Sequence, residues 1–474
     1  MTISTLQRAE ERAATGRPAD TPQRIQGHAI GFWLVASAYL ATMAFATVPT
    51  PLYPLYQREL GFSTLTITVI FAVYAIGVLA SLFLAGHLSD WIGRRTALLT
   101  ALAIQLIAAV LFLFDPALPL LIVARLISGV GVGMLTATAT AYLQELHRAS
   151  RPHAGPKRFE VVSTAANLGG LGIGPLFSGV LAEHAAWPLF TPYLSLGLVL
   201  MLAAAAVAFV PETVATRSLR GSYRPQRISV NRESITGYAA AVGAGFVAFA
   251  VFGVFSSVAP GFLAGELRLT SPTLAGIVTV VVFGGAAAAQ TLLAGLTPRR
   301  QRNLGVLAQA AGLVGFVAGM HVASFGVFLL GGLLAGAGSG ILFKSAVGSV
   351  AAMARPGRRS EALAGLFLFS YLGLAVPSVG LGLATLALSA TVAMSWLAAL
   401  LLAALTAIAV LGRSGATPVR SSAGSADPRS PVQAATRPFG EPGLRRQTVL
   451  ALTGIRPEAV LFSVSSDQSQ TRRS

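Results

Sequence analysis

The chain has 474 residues, 54% hydrophobic and 11% charged, with 50 glycines, no cysteine and a formal net charge of +17; its mean hydropathy is +0.70. A soluble domain carries about 25% charged residues, so this composition excludes a soluble enzyme and a disordered chain. The lack of cysteine excludes disulfides, thiolate metal sites and a cysteine nucleophile, and a polytopic membrane protein remains.

Residues 1–30, polar over 1–27, are expected to form a cytoplasmic N-terminal segment, and no cleavable signal peptide is expected. Twelve apolar runs follow: 31–50, 63–86, 96–114, 119–142, 159–182, 188–210, 237–262, 271–296, 304–322, 325–352, 361–386 and 388–411, here spans 1 to 12. Each is long enough for a helix to cross a hydrocarbon layer of roughly 30 Å. In lipid every backbone amide must be bonded within its own segment, which makes these runs helices. The polar, basic stretch 211–236 separates six spans (31–210) from six more (237–411). Residues 412–474, rich in Ser, Pro, Arg and Gly, read as a disordered cytoplasmic tail.

The basic residues alternate between loops. Of 34 Lys and Arg, thirty fall in one set, which includes both terminal segments and the long linker; the opposite set holds only Arg58 and Arg268, and Arg125 and Lys344 lie inside spans. Cytoplasmic loops carry such an excess, so both termini are expected inside the cell (inner or plasma) membrane. The positive charge is therefore topological. No basic run is interleaved with stacking aromatics, and no nucleic-acid partner is expected.

The two halves look alike. Gly129, Gly131 and Gly133 of span 4 recur as Gly336, Gly338 and Gly340 of span 10, an offset of 207 residues, and Arg158-Phe-Glu160 before span 5 resembles Arg359-Ser-Glu361 before span 11. Repeated bundles that rock about a midplane site are a transporter signature.

Three motifs carry a family resemblance. Gly86-His-Leu-Ser-Asp90-Trp-Ile-Gly93-Arg94-Arg95, between spans 2 and 3, resembles the cytoplasmic loop signature of the major facilitator superfamily. Arg125-Leu-Ile-Ser-Gly129-Val-Gly131 resembles its fourth-helix motif, and Gly170-Leu-Gly-Ile-Gly174-Pro175-Leu-Phe-Ser178-Gly179 is similar to the antiporter motif of its drug-exporting branches, with Ser178 replacing a glycine. The resemblance implies an all-α membrane protein of twelve helices in two six-helix bundles. It further implies a monomeric, non-enzymatic carrier of a small-molecule substrate in contact with membrane lipid, without a cofactor or metal. Proton-coupled export of partly apolar compounds is the first reading. Import or exchange of a metabolite or organic anion is the alternative.

A carboxylate at Asp90 can bond free N–H groups at a helix N-terminus, a dipole effect of about 0.3–1 kcal/mol. The resemblance implies that this helix is span 11, that Arg94 pairs with Glu145, and that Gly86 and Gly93 let the turn close, together forming a cytoplasmic gate. Arg125 lies about 9 Å inside span 4 at 1.5 Å per residue and should either face a polar cavity or snorkel to the headgroups. Lys344 has the same two options. With Tyr39 and Asn167, these are the candidate cavity or coupling residues, alongside Thr42, Ser256, Gln290, Phe249 and Phe252. Gly129, Gly170, Gly174, Pro175 and Gly179 are candidate packing and hinge positions, with Gly284 and Gly285 of span 8 as facing residues. The segment Pro49 to Tyr56 is expected to end span 1 with its tyrosines at headgroup depth. Many exporters of the family place a carboxylate within a core helix; here every acid lies at a helix end or in a loop.

Overall fold

The computed structural model describes residues 22–85, 88–114, 117–214, 235–355 and 358–414. Gly86, most of the N-terminal segment, most of the linker and nearly all of the tail lie outside them. Among the described residues the secondary structure is helical, with no strand. Eleven helices are long and apolar enough to cross a membrane. Span 6 is the helix Thr191–Val207, 17 residues, lengthened by turns in which the N–H groups of Phe209 and Val210 donate to Ala206 and Val207. Among the described residues each of the twelve predicted spans thus falls on a helix, eleven of them of membrane-crossing length.

Two spans depart instructively from their predicted limits. Span 1 does not stop at residue 50. Helix Pro22–Ala46 passes through a tight turn at Thr50–Leu52 into a second helix, Tyr53–Leu60, closed by Gly61 at φ +70°. Pro49 and Pro51 lack the N–H groups that would continue the first helix, which frees the carbonyls of Ala46 and Val48 for other partners. Tyr53 and Tyr56 are consequently buried, and the Tyr56 hydroxyl lies 3.0 Å from that of Tyr193; the headgroup position expected for them is not the one found. Span 4, Leu118–Ser150, has 33 residues, about 50 Å at 1.5 Å per residue, and carries Glu145 well beyond the apolar layer.

The halves repeat in their packing. Span 1 packs on spans 4, 5 and 6, span 2 on 4, and span 3 on 4 and 6; span 7 packs on 10, 11 and 12, span 8 on 10, and span 9 on 10 and 12. Adding six to each number in the first set gives the second. The main contacts between halves, span 5 with 8 and span 2 with 11, exchange under the same operation. The glycines follow suit. A Cβ on Gly133 would lie 2.7 Å from the Val78 carbonyl of span 2, and one on Gly340 2.6 Å from the Ala286 carbonyl of span 8. Gly131 faces Gln105 of span 3, as Gly338 faces Gln309 of span 9. Small residues let backbones approach where lipid supplies no hydrophobic drive for helix association.

Candidate functional site

A cavity of about 270 Å³ lies between the halves. Its walls differ in chemistry. Spans 1, 2, 4 and 5 contribute Tyr39, Thr47, Tyr74, Arg125, Thr136 and Asn167, among others, whereas spans 7, 8, 10 and 11 contribute chiefly Phe249, Phe252, Phe283, Phe343 and Phe367, with Tyr371. The phenyl rings pack on one another: Phe252 stacks on Phe283 at 4.9 Å and 15°, and Phe249 lies 4.9 Å from Phe343. Asn167 sits in a π-helical turn, Ala165–Gly169, within span 5; such turns widen a helix locally and recur at functional sites.

Arg125 is 2% exposed. One terminal nitrogen donates to the Ala46 carbonyl at 2.8 Å, the acceptor freed by the proline turn, and the guanidinium carbon stands 4.6 Å from the centre of the Tyr74 ring. The cavity position, rather than a snorkelling one, is what the structure has. Lys344 is not among the lining residues. Its ammonium donates to the Gln290 carbonyl at 2.8 Å, in the last turn of span 8, Pro272–Leu292. Carbonyls there have no intrahelical partner and carry the negative end of the helix dipole, so this lysine closes a helix end. Thr42, also a cavity candidate, is fully buried and donates to Ala38 within its own helix. Among the described residues no cluster of His, Asp or Glu could hold a metal.

At the end of the molecule bearing the arginine loops, Arg94 is 2.6 Å from Asp90 and 3.0 Å from Glu145, and donates to the Ser89 hydroxyl at 2.6 Å. Glu212, just after span 6, accepts from the backbone N–H groups of Arg94 and Arg95 at 2.9 and 3.0 Å and thereby caps span 3. Gly93 has φ +93°, and a Cβ there would lie 2.5 Å from Glu212 Oε2; the glycine is needed for both the turn and the cap. Thr213 adds a hydroxyl bond to Glu145. Asp90 pairs with Arg94 in this arrangement; the bond to span 11 expected of it belongs to the arrangement in which the halves close at this end.

The opposite end is closely packed. Gly179 lies against Pro272 and Thr273, Gly276 against Pro175 and Leu176, and Gly382 against Leu65 and Thr68. Glu183 of span 5 accepts from the Ser271 hydroxyl and, at 3.0 Å, from the Thr273 N–H at the start of span 8. Toward the arginine loops, Gly169 and Gly284 have no atom within 4 Å of a built Cβ. The cavity reaches Ser163 and Gln290 on that side.

Two related sequences and a fold bear on this arrangement. A sequence profile described as the Major Facilitator Superfamily matches residues 35–239. The MFS-type transporter Rv1250 of Mycobacterium tuberculosis, itself uncharacterized, is 24% identical over 181 residues, covering 38% of this chain and 31% of that protein. MdtD of Salmonella paratyphi B, provisionally named a multidrug resistance protein, is 25% identical over 155 residues, covering 33% and 32%. The match thus spans about a third of each relative's length. A POT family transporter solved with a thioalcohol-conjugated peptide shares the fold at TM-score 0.66, with 12% identity, covering 83% of this chain and 97% of that one.

Over residues 35–239 the chain resembles the major facilitator superfamily.

The glycine stripe of span 5 does not meet one neighbour, as its spacing suggested. Gly170 and Gly174 pack on Leu40, Met43 and Ala44 of span 1, whereas Gly172, Pro175 and Gly179 reach span 8. The facing residues are Pro272, Thr273, Gly276, Val280 and Phe283; Gly285 instead meets Leu333 of span 10. Residues 170 and 179 are nine apart, about 180° around a helix at 3.6 residues per turn, which divides the stripe. Ser178 is fully buried and donates to the Val48 carbonyl at 2.8 Å. A glycine there would leave that acceptor bare, so the departure from the motif follows from the proline turn after span 1. Glu212 was missed by motif reading. Its signal was that span 3 opens on Gly93-Arg94-Arg95 with no Ser, Thr, Asp or Asn to cap it, so the cap had to come from elsewhere.

Proposed function

We propose that the chain is a major facilitator superfamily carrier that moves a small, partly apolar solute across the cell membrane by alternating access, acting as a monomeric, proton-coupled exporter with both termini in the cytoplasm. One observation carries the reading: a cavity lined by both look-alike halves, whose mutual contacts gather at one end. The closed end is the one bearing Glu183 and Gly382; the open direction is toward the arginine loops. This corresponds to an inward-facing state.

Export is supported by the phenyl wall, by the span 5 motif and by the partial likeness to MdtD. In the outward-facing state Asp90 would leave Arg94 for the first turn of span 11, while Glu183 would release Ser271 and Thr273. Gly174, Pro175 and Gly179 lie where span 5 touches both its own bundle and span 8, and would carry the hinge. With no nucleotide-binding motif in the sequence, an ion gradient is the proposed energy source. Inside-out vesicles from expressing cells test this directly. Dissipation of an imposed pH gradient on adding a small aromatic solute, absent from vesicles without the protein, is the expected result. A panel of such solutes that leaves the gradient untouched, with the protein correctly inserted, would overturn the reading.

A further inference from the structure

We propose that the cavity binds an aromatic monoanion, with its negative group on Arg125 and its ring against the phenyl wall. This names the solute class for the cavity already described and rests on reading that cavity as the solute site.

The argument starts from an uncompensated charge. A guanidinium is always protonated and offers five N–H donors. At 2% exposure Arg125 places one terminal nitrogen on the Ala46 carbonyl, while its Nε, also buried, has no hydrogen-bond partner. Among the described residues no ion pair is seen at Arg125, and no carboxylate lines the cavity. A buried cation without an anion is costly, by several kcal/mol; the Tyr74 and Phe71 rings, the neighbouring Tyr53 hydroxyl and one carbonyl offset part of that without supplying a negative charge. Lys344 is not among the lining residues, and its ammonium donates to the Gln290 carbonyl at the end of span 8.

A carboxylate or sulfonate meets what is missing. It accepts from adjacent guanidinium N–H groups as a charge-assisted pair, and it brings the negative charge that the cavity lacks. A cation would face the same guanidinium with no carboxylate to receive it. The other end of the solute follows from the opposite wall, where Phe249, Phe252, Phe283, Phe343 and Phe367 line the cavity and supply aromatic surface that suits an aromatic group. A volume of about 270 Å³ lies just under the roughly 300–1,000 Å³ of drug-sized sites, which limits the solute to a small ring system.

Three probes on one scaffold separate charge from shape: 2-naphthoate, 2-naphthamide and 2-naphthylmethylammonium. Binding of each, radiolabelled, to the purified full-length chain is read by scintillation proximity in 0.15 M salt. Naphthoate should bind at least tenfold more tightly than the amide, and the ammonium least. Arg125→Lys should keep that order with weaker binding, and Arg125→Met should bring naphthoate and naphthamide level. An amide or ammonium that binds as tightly as naphthoate would overturn the proposal, as would a preference unchanged in Arg125→Met. So would the failure of all three to bind. The charge order in the unaltered chain decides the matter even if Arg125→Met does not fold. Octanoate binding more tightly than naphthoate would overturn the aromatic assignment in favour of an acyl chain. The transport reading fails separately: ligand-free distance measurements between the halves could show them rigid while naphthoate still binds.

Discussion

Gly133→Ala and Gly340→Ala test the repeat through its packing. The new methyl carbon would stand 2.7 Å from the Val78 carbonyl oxygen in the first case and 2.6 Å from that of Ala286 in the second. Ordinary contact begins near 3.4 Å, so spans 2 and 4, or 8 and 10, must separate by about 0.7–0.8 Å. The obstructing atoms are backbone and cannot rotate away. Overpacking of this kind costs about 1–3 kcal/mol. Against it stands the gain of about 1 kcal/mol for alanine over glycine in a helix. Gly284→Ala supplies the reference, because its Cβ would meet nothing within 4 Å and it has the same propensity gain. The difference between either test variant and Gly284→Ala therefore isolates packing. Taking one six-helix half as the unfolding unit, about 2–4 °C per kcal/mol applies. Size-exclusion melting of the detergent-solubilised protein should thus place both variants at least about 2 °C below Gly284→Ala, and close to each other. Melting at or above the reference would refute the close-packing argument, and a large gap between the two would refute the equivalence of the halves.

Glu212→Gln keeps the shape of the span 3 cap and removes its charge. A loss of about 0.5–2 kcal/mol, seen as earlier melting that raised salt does not rescue, is expected; unchanged melting would show that the cap carries no weight. Ser178→Ala and Ser178→Gly should each lose the bond to Val48 and about 1 kcal/mol of stability, and a glycine variant as stable as the parent chain would contradict the account of that substitution. Asp90→Asn should insert normally and lose net flux in reconstituted vesicles, because the outward-facing closure needs its charge; ordinary flux would count decisively against the gate.

The fold was legible because its determinants are one-dimensional. Span length, arginine alternation and the glycine repeat in spans 4 and 10 are all properties of order along the chain, and lipid leaves the helix as the one way to satisfy a backbone in such segments. The candidate cavity was partly legible for the same reason: Tyr39, Arg125, Asn167, Ser256, Gln290, Phe249 and Phe252 all line it, since each is a polar or aromatic residue within an apolar span. What escaped depended on helix rotation and on breaks. Lys344 has the right depth but turns toward the end of span 8. The threonines at 136 and 140 satisfy themselves on carbonyls one turn back and so resemble ordinary helix residues in sequence. The roles of Ala46 and Val48 as acceptors come from Pro49 and Pro51, two residues whose effect is felt on neighbouring spans rather than on their own.

The central claim, that the two halves rock about the cavity, is tested most directly by distances at both ends of the same molecule. The chain has no cysteine, so spin labels can be placed without background at Thr96→Cys with Arg359→Cys near the arginine loops, and at Glu59→Cys with Glu266→Cys at the other end, all exposed positions. Double electron–electron resonance in nanodiscs, between pH 5.5 and 8 and with Glu183→Ala added to loosen the closed end, should give two populations for each pair. Conditions that lengthen one pair should shorten the other. A single fixed distance at both ends, or lengthening at both together, would contradict alternating access.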